Sequence, residues 1–155
     1  MMNGVRHSKI TPAVAIPIVI ALSAFAIQAS SIPHSQVLEP DELVTILNSK
    51  GQKPLLIHVG FHVLYLQAHI PNSEYIGPAR DPTALAQLRA RLKSLPRNKL
   101  IVIYCGCCPW DHCPNVKPAH DALIAMGFTN VKVLHLADNI ATDWIDKGYP
   151  TTKGE

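Results

Sequence analysis

Cys105, Cys107, Cys108 and Cys113 are all the cysteines the chain has, and they fall within nine consecutive positions. A thiolate is a nucleophile, a soft metal ligand and a redox group, so this stretch can do chemistry that the rest of the chain cannot. It follows Leu100-Ile101-Val102-Ile103, an apolar β-branched run that reads as a buried strand, and a helical pattern starts near Asn115. The cysteines therefore occupy a loop from the C-terminal end of a strand to the start of a helix, where open α/β sheets place their ligands. Such a loop turns backbone N–H groups inward, and the helix N-terminus adds partial positive charge. That environment favours a thiolate, a persulfide or a small oxyanion.

Three chemistries remain open on these residues. In the first, Cys105 at the strand end is the nucleophile or sulfur carrier. In the second, a neighbouring cysteine resolves Cys105 as a disulfide. Four cysteines allow three full pairings; a bond between adjacent Cys107 and Cys108 is strained, whereas Cys105 or Cys108 with Cys113 is sterically easier. In the third, Cys107, Cys108, His112 and Cys113 offer soft ligands suited to zinc or copper. Their spacing, C-x-C-C-x4-C, is not that of a structural zinc site with paired C-x2-C elements, and no metal or other cofactor is expected. From Cys105 to Val116 the sole side chain able to carry positive charge is His112, while Asp111 adds a negative one. Pro109 and Pro114 each remove an N–H from the loop. Lys117, in the first turns of the following helix, is the nearest lysine. Trp110 either covers the site or packs the loop onto the domain. His58 reads as a strand-end histidine bonded to backbone.

The elements that must position this loop alternate along the chain. Glu39-Pro40-Asp41-Glu42 starts a helix, with Leu43, Ile46 and Leu47 on one face. Leu55–Val59 is a buried strand punctuated by Gly60. Phe61–Ala68 is expected as a short helix with Val63, Leu64 and Leu66 partly buried, followed by a short strand around Glu74-Tyr75-Ile76. Asp81, as an acidic cap, and Pro82 open a helix with Leu85, Leu88, Leu92 and Leu95 inward and Arg89, Arg91 and Lys93 in solvent. After the cysteine loop come a helix carrying Val116, Leu123, Ile124 and Met126, the strand Val131–Leu134, and a short helix over Ala141–Lys147 with Trp144 and Ile145 inward. Strands alternating with helices imply an α/β fold with a mostly parallel central sheet.

The 155 residues suffice for one domain with a real core. Arg6 and Lys9 precede the uncharged run Ile10–Ala26, which ends in the small-x-small pattern Ala24-Phe25-Ala26. Residues 1–26 therefore read as an export signal, or as an anchor over residues 10–26 that stays uncleaved; residues 27–38 read as a linker. Loss of Arg6 and Lys9 lowers the formal net charge from +3 to +1, which leaves no electrostatic footprint for nucleic acid. Export, with the periplasm as the expected destination, exposes the thiols to oxidants.

The order of motifs is itself informative. A buried strand, His69-Ile70-Pro71, a helix, a strand ending in Tyr104-Cys105, a loop and helix, then Gly127-Phe128-x-Asn130-Val131-x-Val133-Leu134 and finally Trp144 with Gly148-Tyr149-Pro150 follow one another. From about Glu39 to Thr152 this pattern resembles a rhodanese-like domain. The resemblance implies a single α/β domain over 39–152, a central mostly parallel sheet with helices on both faces, and Cys105 at the position of the sulfur-accepting nucleophile. It also implies that His69 fixes a structural turn, that the His58 strand end lies near the loop and can polarise it, and that sulfur moves as a cysteine persulfide without metal or organic cofactor. The partners implied are a small sulfur donor and a thiol-containing acceptor, or another exported protein, with membrane contact only through an uncleaved N-terminus. The chain departs from the family pattern in its longer loop without arginine or lysine. It also departs in His58-Val59-Gly60, where that strand usually ends in aspartate, valine and arginine, and in Ala137-Asp138, where a glycine pair is usual. Sulfur carried on Cys105 is the expected function; the alternatives are a thiol–disulfide redox protein using the Cys105–Cys113 cluster and a non-catalytic module that binds a metal or a partner. Lys117, the nearest cation, is expected to be exposed, with substitution for the missing arginine as the alternative.

Overall fold

The computed structural model describes Met1 and residues 31–155. The expected export signal at 1–26 and the start of the linker, 27–30, lie outside the described residues. Five short strands, β1 (Val37–Leu38), β2 (Leu55–His58), β3 (Ser73–Tyr75), β4 (Ile101–Tyr104) and β5 (Val131–Leu134), form one sheet in the order β1-β5-β4-β2-β3. Every pairing is parallel. The helices are α1 (Pro40–Asn48), α2 (His62–Gln67), α3 (Pro82–Leu92) and α4 (Val116–Ala125).

The strands carry apolar side chains on both sides because both sides are covered. Alternation sends Ile57, Val59, Ile101, Ile103 and Cys105 into one core with Leu88 and Leu92 of α3 and Ala119, Ala122 and Leu123 of α4. Leu56, Val102, Tyr104 and Leu134 enter a second core with Leu43 of α1 and Trp144. The chain runs from β2 outward to β3 and then returns to β4 on the other side of β2. The direction of winding therefore switches between β2 and β4, and the loops leaving both strands meet there.

Several local expectations need correcting. Val37 and Leu38, expected in a linker, pair with Val133 and Leu134 as β1, preceded by a 3-10 turn at His34–Gln36. α2 buries Tyr65 and exposes Val63 and Leu66, because one and a half turns present a single residue to the core. Asp81 sits at the N-cap of α3 but makes no side-chain capping bond; its carboxylate lies 3.7 Å from the Arg80 guanidinium. The last helix is a single π-type turn over Ala141–Ile145, whose wider spacing buries Trp144 and turns Ile145 outward. Ile124 of α4 is likewise exposed. Among the described residues no helix is long and apolar enough to cross a membrane.

Candidate functional site: a thiol cluster at the end of β4

β4 delivers Cys105 to the C-terminal edge of the sheet with 2% of its surface exposed. Gly106 then adopts φ 75°, a left-handed conformation that suits glycine. A side chain here would collide with Ile140, since a Cβ would stand 2.7 Å from that residue's Cβ. The close approach is fixed by the Ile140 N–H, which donates to the Gly106 carbonyl at 3.2 Å. The turn brings Cys107 Sγ to 3.1 Å from Cys105 Sγ, and Cys108 Sγ lies 3.1 Å from Cys107 Sγ. Cys113 returns at the end of a 3-10 turn, Trp110–His112. The sulfurs of Cys105, Cys107 and Cys113 all lie within 4.8 Å of one another. All four cysteines are free thiols.

Asn115 organises the cluster, and its role is not visible in the sequence. It occupies the N-cap of α4 yet makes no capping bond with its side chain. Fully buried, its amide donates to Cys105 Sγ at 3.3 Å, while its carbonyl oxygen accepts from the Arg80 N–H at 3.1 Å. The signal available was an asparagine at a helix start directly after Cys-Pro, which reads as an ordinary cap. Gly60 is the second missed residue. A Cβ there would stand 2.9 Å from Cys105 Sγ, 3.0 Å from His58 Cε1 and 3.1 Å from the Cys105 carbonyl oxygen. No side chain fits at this position while Cys105 Sγ is tucked beneath it.

The charge on the cluster sits away from Cys105. The hydrogen bond with Cys113 and then burial push the Cys105 thiol far above its ordinary value, with Asn115 acting in the opposite direction. Cys113 is lowered to about 6, first by the hydrogen bond from Cys105 and then by the backbone N–H groups of Asn115 and Val116, against the effect of burial. Cys105 and Cys113 thus act as one coupled pair in which negative charge is favoured on Cys113, at the start of α4. Burial and the neighbouring Cys107 push Cys108 up to about 12.

Of the other expected site residues, His58 lies against the Cys105 backbone, whereas His112 and Lys117 fall outside this contact set. His112 has an exposed ring, and its carbonyl accepts from Cys108 Sγ at 3.7 Å. The Lys117 side chain reaches solvent, as expected, and is bound to Asp121 at 2.5 Å across one helical turn, which leaves the alternative role in place of the loop arginine without support. The metal ligands grouped from sequence, Cys107, Cys108, His112 and Cys113, are not the set brought together. Cys105 joins Cys107 and Cys113 instead, three sulfurs suited to a soft ion. His58 is fully buried at the end of β2. Its Nδ1 accepts from the Gly60 N–H at 3.3 Å, Nε2 has no hydrogen-bond partner, and burial lowers it to about 4. His69 Nδ1 pairs with the Tyr65 carbonyl at 2.8 Å, and its ring stacks on Tyr65 at 3.8 Å, as a turn-fixing residue should.

Trp110 packs the loop onto the domain, its backbone N–H donating to the Ala137 carbonyl at 3.0 Å and its ring meeting His135 edge-on at 5.0 Å. It also lines an open cleft of about 540 Å³ together with Asp111, Cys113, Val116, Lys117 and His135. Beneath it a cavity of about 10 Å³ is walled by Cys105, Cys108, Trp110, Cys113 and Val116, among others.

Residues 39–136 match the family described as Rhodanese-like domain. Among solved structures, the chain is similar to the BH2092 protein from Bacillus halodurans, at 20% identity over 77% of this chain and 77% of that one, with TM-score 0.59. It is also similar to the single-domain sulfurtransferase RDL2 from Saccharomyces cerevisiae, at 18% identity over 74% and 95% of the two chains, TM-score 0.53. A third likeness is to EanB in a cysteine-persulfide state with ergothioneine, at 22% identity over 75% of this chain and 27% of that chain, TM-score 0.54. No curated protein matches.

Proposed function

We propose that this chain, which belongs to the rhodanese-like domain family, carries sulfane sulfur as a persulfide on Cys105. The observation that carries this reading is the Cys105–Cys113 pair: a strand-end thiol beside a thiolate that can accept its proton. A donor such as inorganic polysulfide or thiosulfate docks in the open cleft and passes only its terminal sulfur to Cys105, past Trp110, Cys113 and Val116, which line both the cleft and the small cavity beside Cys105. Cys105 attacks the donor's outer sulfur while its proton passes to Cys113, and the donor's remaining portion leaves as an anion. The amide of Asn115, which donates to Cys105 Sγ, stabilises the negative charge that develops there as the proton leaves. Sulfurtransferase and persulfide forms among similar structures support the chemistry. Asp111 and Lys117 both line the cleft, so it is not the strongly cationic funnel that would select a simple dianion. Thiosulfate is accordingly a weaker donor than a polysulfide, the acceptor is a thiol, and the protein acts after export, in the periplasm.

Intact-mass measurement of the reduced protein after brief exposure to polysulfide tests this reading. The expected result is a gain of one sulfur atom, or its consumption with release of sulfide, in the native protein and neither in Cys105→Ser. Equal sulfur uptake by Cys105→Ser contradicts it. A second reading, thiol–disulfide redox without sulfane sulfur, is favoured by the 3.1 Å contact of Cys105 and Cys107; reversible disulfide formation with no sulfur uptake would establish it instead.

A further inference from the structure

Cys105 is closed off from any large acceptor. Only 2% of its surface is exposed, and the space beside it, about 10 Å³, suits one small atom or a single water. That space holds the outer sulfur of a persulfide but not an acceptor molecule. The groups that meet a persulfide in this enclosure are therefore the chain's own. Two cysteines besides Cys105 line the cavity, Cys108 and Cys113. Cys107, although its sulfur is 3.1 Å from Cys105 Sγ, is not among the cavity's lining residues and instead faces a separate cleft with Leu64, Gln67 and Ile140. Cys108 is held as a thiol, high above neutrality. Cys113 sits within 4.8 Å of Cys105 Sγ, receives the N–H groups of Asn115 and Val116, and also lines the open cleft outside.

We propose that Cys113 is the resolving residue of this site: it attacks Cys105 Sγ in the persulfide and expels the outer sulfur as hydrosulfide, so that the protein reduces sulfane sulfur rather than handing it on. The inference rests on the reading that Cys105 takes up sulfur. The two steps balance. In the first, the Cys105 thiol attacks the donor, its proton moves to the Cys113 thiolate, and the site holds a Cys105 persulfide anion beside a Cys113 thiol. In the second, Cys113 sulfur bonds to Cys105 Sγ, the bond between Cys105 Sγ and the outer sulfur breaks, and the proton from Cys113 leaves on the sulfur as HS⁻. Cys105 is oxidised by one electron equivalent in the first step and Cys113 by one in the second, and over the two steps the sulfane sulfur takes up both and leaves as sulfide. An external dithiol reductant then restores both thiols by exchange, entering at Cys113, which the cleft exposes. The substrate class is thus a polysulfide or organic persulfide, the product is sulfide, and the reaction that must precede each new turnover is a dithiol–disulfide exchange.

The test uses the full chain, fully reduced and freed of reductant, then given a limited amount of inorganic polysulfide. Sulfide in solution and the disulfides in peptide digests are measured together. The native protein is expected to release sulfide without added thiol and to yield a Cys105–Cys113 disulfide. Cys113→Ser, which lacks both the proton acceptor and the resolving sulfur, is expected to take up sulfur on Cys105 more slowly, to keep it, and to release sulfide only at the background level of Cys105→Ser until an external thiol is supplied. A native protein that keeps the persulfide intact, or whose disulfide joins Cys105 to Cys107 or Cys108, overturns the assignment of Cys113 while leaving sulfur carriage standing. A native protein that neither takes up sulfur nor releases sulfide overturns both. Disulfide mapping in the native protein decides the matter even if Cys113→Ser fails to fold.

Discussion

β2 and β4 are neighbours in the sheet, their last residues His58 and Tyr104 are in register, and each strand leads a potentially reactive side chain to the same edge. The pleat sends them to opposite faces. Cys105 enters the α3/α4 side, where a helix start, two backbone N–H groups and the Asn115 amide favour negative charge on sulfur. His58 enters the other side, against Tyr65, Tyr75 and Tyr104, with ring centroids 5.0 to 5.9 Å away. Around His58 burial favours the uncharged form, and nothing supplies Nε2 with a partner. A place at the switch point of a parallel sheet does not by itself make a residue reactive. What decides is whether the surroundings stabilise the charged form or the neutral one.

The comparison is broken most easily at its aromatic side. His58 titrates near 4 in the folded protein against 6.5 when free, so between those values the unfolded chain binds more protons and stability falls as the pH drops from 6.5 to 4. The loss attributable to His58 is on the order of 3 kcal/mol. Chemical denaturation at both pH values is expected to show this extra acid sensitivity in the native chain and to lack it in His58→Phe, whose ring fits the same aromatic cluster. Uptake of sulfur should persist in His58→Phe.

At the thiol side, Asn115→Ala removes the donor to Cys105 and leaves the Arg80 N–H without its acceptor. The expected cost is about 1–3 kcal/mol in denaturant unfolding, with slower sulfur uptake by Cys105 and a thiolate midpoint, followed by ultraviolet absorbance, displaced from the native value of about 6. An Asn115→Ala protein with native stability and native uptake would remove Asn115 from the account. The smallest effect belongs to Lys117→Ala. Its exposed pair with Asp121 contributes about 0.5 kcal/mol or less, and sulfur uptake from polysulfide should be unchanged.

The layered fold and the location of the site were legible because they depend on pattern. Apolar β-branched runs, helical spacing of Leu88 and Leu92, and a cysteine directly after a strand each follow from local rules. The pairing of Cys105 with Cys113 was one of several open choices, since a loop containing two prolines and a 3-10 turn sets its own path. Asn115 was invisible as a site residue because a helix-start asparagine normally caps. Gly60 read as simple strand punctuation, although its missing side chain is what admits Cys105 Sγ. Lys117, by contrast, was legible as a solvent-facing helix residue, with Asp121 four positions on to hold it. The roles of Asn115 and Gly60 depend on long-range contacts that spacing does not encode.

The central claim is that sulfur is carried at Cys105. The most direct measurement exposes the reduced protein to polysulfide for seconds, alkylates it, and locates the extra sulfur by peptide mass. The account predicts it on the Cys105 peptide; in Cys113→Ser, which lacks the proton acceptor, the sulfur arrives more slowly and then persists there. Extra sulfur confined to Cys107, Cys108 or Cys113, with Cys105 alkylated as a plain thiol, would contradict it.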